Sequence, residues 1–71
     1  MNTKILIKLG ERIKFYRLKC GLTQEKLAEK VGVHQTYIGK LEIDKINASV
    51  KTLFIISRAL GIKLSDIFSF D

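Results

Sequence analysis

Gln24-Glu25-Lys26-Leu27-Ala28-Glu29-Lys30-Val31-Gly32-Val33-His34-Gln35-Thr36-Tyr37-Ile38-Gly39-Lys40-Leu41-Glu42 is the stretch that decides the fold of this 71-residue chain. Leu27, Ala28 and Val31 recur at three- and four-residue spacing, which is the period of one helix face. Thr23, just ahead of them, is an N-cap residue type, with Gln24, Glu25 and Lys26 in the first turn that follows. Gly32 breaks the pattern, and a second short helix runs from about Gln35 to Leu41 or Glu42, turning Ile38 and Leu41 inward. These offsets predict two helices packed near right angles across a tight turn. Ala28 is small where the second helix crosses the first. Gly32 supplies a positive φ that other residues reach at a cost of about 1 kcal/mol. Leu27, Val31, Val33, Ile38 and Leu41 stiffen the joint. Each feature is common in helical hairpins; all of them in one register are not.

Outward from this pair, apolar residues at 6, 9, 13, 16 and 20 predict a first helix from roughly Lys4 to Cys20, closed by Gly21. Cys20 sits on that stripe and is expected in the core. The polar, irregular stretch Ile43 to Ala48 is expected to be a loop. Ser49 is placed to cap a helix whose inner face is Val50, Leu53, Ile56, Ser57 and Leu60, closed by Gly61. A last helical turn is expected near Leu64 to Phe68. No segment alternates with period two for long enough to predict a strand. The expected fold is therefore all-α, five short helices in one domain over 1–71.

Composition narrows the function classes. Apolar residues make up 46% of the chain, with no proline, which fits a folded core even at this small size. One cysteine cannot form an internal disulfide, and no Cys/His grouping has zinc spacing, so neither metal nor cofactor is expected. A reducing, cytoplasmic setting fits that cysteine usage. Lys4, Lys8, Glu11 and Arg12 interrupt Ile5-Leu6-Ile7 too soon for a signal peptide or membrane span. No nucleophile, base and carboxylate fall at catalytic spacing, so no enzymatic activity is expected. The net charge is +6. Its placement matters more: residues 1–40 carry nine Lys/Arg against three Glu, whereas residues 41–71 carry four of each sign. The excess lies on the half that holds the paired helices, as a phosphate polymer would require; a merely solvated basic face remains the alternative.

Leu9-Gly10-Glu11-Arg12-Ile13, Arg17, Gly21-Leu22-Thr23-Gln24, Leu27-Ala28, Gly32-Val33, Tyr37-Ile38, Leu41-Glu42, Leu53 and Ala59-Leu60-Gly61 together resemble the lambda-repressor-like family of Cro/repressor (XRE-type) helix-turn-helix regulators. The size of the chain, Thr36-Tyr37-Ile38 and Asn47-Ala48-Ser49-Val50-Lys51-Thr52-Leu53 resemble, within it, the controller proteins of restriction-modification systems. The resemblance implies a third helix that presents its N-terminal part to base edges in the major groove of double-stranded DNA. Gln35, Thr36 and Lys40 would then contact bases, and Gln24, His34, Tyr37, Lys45, Asn47 and Lys51 the sugar-phosphate backbone. For Tyr37 the alternative is that the ring simply packs beside the helix. Arg17 and Glu42 are implied to form a structural ion pair between the first and third helices. Three features depart from the family pattern. His34 stands where a Ser, Thr or Asp cap is usual, Asp44 where Gly is frequent, and Ala48 where Pro is frequent. Gly39, inside a helix, is either needed for a close approach or merely tolerated there.

One such domain touches only about four or five base pairs, so two copies on a palindromic operator are expected. Phe54, Ile55, Ile67, Phe68 and Phe70 are the candidate homodimer surface, being more apolar groups than helix 4 and a short tail can bury. The alternative is that the tail folds back on helix 1, where Phe15 and Leu18 also need cover. The function expected is operator binding, with autoregulation and contact to RNA polymerase as extensions and no membrane or small-molecule partner. The rival reading is an antitoxin-like protein-binding module on the same scaffold.

Overall fold

The computed structural model describes residues 3–43 and 46–69, and the described residues form five helices with no strand. They are α1 (Thr3–Lys19), α2 (Gln24–Val31), α3 (Gln35–Ile43), α4 (Val50–Leu60) and α5 (Leu64–Ile67). No described helix is long and apolar enough to cross a membrane.

Local signals set most of these boundaries. Thr23 Oγ1 accepts from the Lys26 amide at 3.0 Å, and Ser49 Oγ accepts from the Thr52 amide at 3.1 Å, which satisfies free donors at the starts of α2 and α4. Gly32 ends α2 at φ 85°, and its amide returns to the Ala28 carbonyl at 2.8 Å. This left-handed residue lets Val33 turn the chain into α3 within three residues.

One core joins all five helices. Leu9 and Ile13 from α1, Leu27 and Ala28 from α2, and Ile38 and Leu41 from α3 meet Leu53, Ile56 and Leu60 of α4 and Ile67 of α5. Ser57 is buried among them. Its hydroxyl donates to the Phe54 carbonyl at 2.7 Å, so the polar group is satisfied.

Four sequence expectations change. Cys20 is exposed: α1 ends one residue earlier, and its Sγ reaches only the Leu60 carbonyl at the rim of the core, at 3.4 Å. Val50 is 68% exposed, because it opens α4 before the stripe reaches the helices that cover Leu53 and Ile56. Ile67, expected on a self-association surface, is 0% exposed and belongs to the core. The tail does fold back on α1: Arg12 Nη2 donates to the Asp66 carbonyl at 3.2 Å and to the Tyr16 hydroxyl at 2.8 Å. It leaves Phe15 and Leu18 exposed all the same, with Arg12 and Lys19 lying over the Phe15 ring. The expectations for Asp44, Lys45 and Phe70 lie outside the described residues.

Candidate nucleic-acid interface

α3 has two faces. Ile38, Leu41 and Glu42 are buried, whereas Gln35, Thr36 and Lys40 are exposed. The three residues expected to contact bases are thus all on the solvent-exposed part of one helix. Gln can pair bidentately with adenine, Thr can offer a methyl or a hydroxyl, and Lys favours guanine.

The helix is held by a buried polar cluster. Arg17 Nε donates to Glu42 Oε2 at 2.7 Å and Arg17 Nη2 to Oε1 at 3.1 Å, a two-pronged pair with the carboxylate fully buried. Arg17 Nη1 donates to the Leu22 carbonyl at 2.7 Å, and Gln24 Nε2 donates to Glu42 Oε1 at 3.1 Å. The Arg17–Glu42 pair therefore ties α1, the turn before α2, the first residue of α2 and the last turn of α3. The pair is a positioning device for α3 and does not face the solvent.

Gln24 has more than the phosphate-holding part expected of it. One hydrogen of its side-chain amide is committed to Glu42, so the side chain is anchored beside α3. Its backbone amide, in the first turn of α2, is left to meet an anion.

His34 does cap α3. Its Nδ1 accepts from the Thr36 amide at 3.1 Å, so the ring proton in this arrangement sits on Nε2 and is available as a donor. The cap geometry left open by the unusual residue type is thereby formed by the imidazole instead of a hydroxyl or carboxylate. Tyr37 is half-buried, with its ring packed against the core. Asn47 and Lys51 are exposed on either side of the Ser49 cap.

Gly39 faces the Gln24 side chain. A Cβ there would lie 3.4 Å from Gln24 Oε1, an ordinary contact. Nothing among the described residues therefore demands glycine. Gly39→Ala is expected to raise stability by about 0.5–1 kcal/mol through helix propensity, read as a higher thermal midpoint by circular dichroism. A lower midpoint would show that Gln24 cannot share the space.

Sequence reasoning assigned no role to Gly10. A Cβ on this α1 residue would overlap the Leu41 carbonyl oxygen and lie 3.0 Å from that of Glu42. This is where the backbones of α1 and α3 touch. A glycine inside an otherwise periodic helix was the available signal.

Two short helices joined across the Gly32 turn, the second clamped from behind by a buried ion pair, form a helix-turn-helix. The chain belongs to the Helix-turn-helix family, whose profile matches residues 13–67. It is similar to an uncharacterized HTH-type transcriptional regulator of Archaeoglobus fulgidus, 47% identical over 60 residues and covering 84% of each chain. Its structure is similar to that of the restriction-modification controller protein C.AhdI from Aeromonas hydrophila. The TM-score is 0.88 at 32% identity, over 93% of this chain and 96% of that one. It is also similar to SinR, a master regulator for biofilm formation whose structure was solved in complex with DNA. There the TM-score is 0.80 at 32% identity, over 86% of this chain and 98% of that one. The protein is thus a transcriptional regulator of the helix-turn-helix, XRE-type class, related to controller proteins and repressors.

Proposed function

We propose that the protein binds a palindromic DNA operator as a homodimer and regulates transcription from it. Gln35, Thr36 and Lys40 read bases in the major groove. The Gln24 amide, His34, Asn47 and Lys51 hold the sugar-phosphate backbone, and Lys45 and Tyr37 are assigned to the same role from the family resemblance. The observation that carries this reading is the exposed face of α3, clamped from behind by the buried Arg17–Glu42–Gln24 cluster. A reading helix must be rigid before it meets DNA if base contacts are to discriminate. The basic excess of residues 1–40 supplies long-range attraction to phosphate.

Self-association is assigned to α4 and the end of α5. Phe54, Ile55 and Phe68 expose apolar surface there, away from the buried stripe of α4. Phe70 is assigned to the same surface from the sequence.

Selection of bound duplexes from random DNA tests both parts. A palindromic consensus is expected, and Gln35→Ala or Thr36→Ala is expected to cost about 1–3 kcal/mol of discrimination at one position with the thermal midpoint unchanged. Folded protein that enriches no sequence at low salt would overturn operator binding. A monomer persisting in solution scattering, with a non-palindromic consensus, would overturn the dimer. A complex with another protein that survives both substitutions, without DNA selection, would establish the protein-binding reading instead.

A further inference from the structure

Ile43 is the last residue of α3 and is 67% exposed, although it is a large branched aliphatic at the end of an otherwise well-packed helix. Its inward neighbours Leu41 and Glu42 are buried, and the core beside the following loop is filled by Ile46 and Ala48. Ile43 therefore contributes nothing to the core. It stands at the i+7 position from Thr36 and the i+4 position from Gly39, on the outer side shared with Lys40. Gly39 carries no side chain, and Lys40 projects from the same outer side between Thr36 and Ile43.

A scattered exposed aliphatic is ordinary on protein surfaces. This one lies on the outer side of α3 beside Lys40, in a chain whose basic excess falls within residues 1–40. Among groups presented by DNA in the major groove, the thymine C5-methyl is the one that rewards an exposed branched aliphatic. At about 1.5 Å rise per residue, Ile43 lies roughly 10 Å along the helix axis from Thr36, far enough for the two side chains to meet different base pairs.

We propose that Ile43 is a specificity-determining residue that packs on the methyl group of a thymine, separate from the bases read by Gln35 and Thr36. This rests on the groove-facing reading of α3.

The test uses the duplex selected by the intact protein, with each thymine replaced in turn by deoxyuridine, which removes the methyl and leaves base pairing intact. Wild-type protein is expected to lose about fourfold in affinity at one thymine per half-site, the factor corresponding to about 0.8 kcal/mol per buried carbon. Ile43→Ala is expected to abolish sensitivity at that thymine, Ile43→Val to keep part of it, and both to melt as wild type does because the side chain is exposed. Thr36→Ala should leave sensitivity at that thymine intact. The proposal is overturned if every deoxyuridine penalty persists in Ile43→Ala, or if wild type shows none. Those results leave operator binding standing. Failure to select any sequence would instead overturn operator binding and this proposal with it.

Discussion

Gly10→Ala is expected to lower the thermal midpoint by about 10 °C or more. The added Cβ would run into the Leu41 carbonyl oxygen and crowd that of Glu42. Both are backbone atoms of the last turn of α3, so no rotamer change can move them aside. Either α3 lifts off α1 or α1 bends. Overpacking of this kind costs typically about 1–3 kcal/mol, and a backbone-to-backbone clash lies at the upper end. The gain in helix propensity from alanine, about 0.5–1 kcal/mol, offsets only part of it. For a domain this size, each kilocalorie shifts the midpoint by about 4–8 °C. A melt within about 2 °C of wild type would show that α1 and α3 separate freely and that their close contact is incidental. The opposite outcomes expected for Gly10→Ala and Gly39→Ala come from what each Cβ would meet: fixed backbone at Gly10, a side-chain amide at ordinary contact distance at Gly39.

Glu42→Ala is expected to cost about 3–5 kcal/mol, measured by urea denaturation. Removing the carboxylate leaves Arg17 Nε and Nη2 without their acceptors in a side chain that is 7% exposed. Gln24 Nε2 also loses its acceptor. An uncompensated buried charge is among the largest single penalties available to a domain whose total stability is typically about 5–15 kcal/mol. The pair itself is not a large net source of stability, because burying both ions was costly. Replacing Arg17 and Glu42 together by Met and Leu is therefore expected to recover most of the loss. That double variant should fold but discriminate operators less well, since Gln24 would no longer be tied to α3. A loss below about 1 kcal/mol for Glu42→Ala alone would mean that the Arg17 charge reaches water without rearrangement.

Much of the fold was legible because its signals are local. Thr23, Gly32 and Ser49 act on groups two to four residues away, and the three- and four-residue spacing of Leu27, Ala28, Val31, Ile38 and Leu41 is a property of single helices. The exposed row of Gln35, Thr36 and Lys40 follows from that periodicity once the buried residues are known. The Arg17–Glu42 pair was reachable through resemblance to a family, since nothing local joins residues that far apart. His34 could be placed at the helix start, but only the Nδ1 contact with Thr36 established how an imidazole caps it.

What sequence alone determined about this protein is the pair of short helices around Gly32 and the polar outer row of the second one. The tertiary structure decided which parts of each apolar stripe find a partner. It moved Cys20 and Val50 out to solvent, took Ile67 from a presumed interface into the core, and brought the α1 backbone against α3 at Gly10. Periodicity specifies the face of a helix, but burial depends on where distant helices cross it. Residues at the ends of a stripe, such as Val50 and Cys20, lie beyond those crossings.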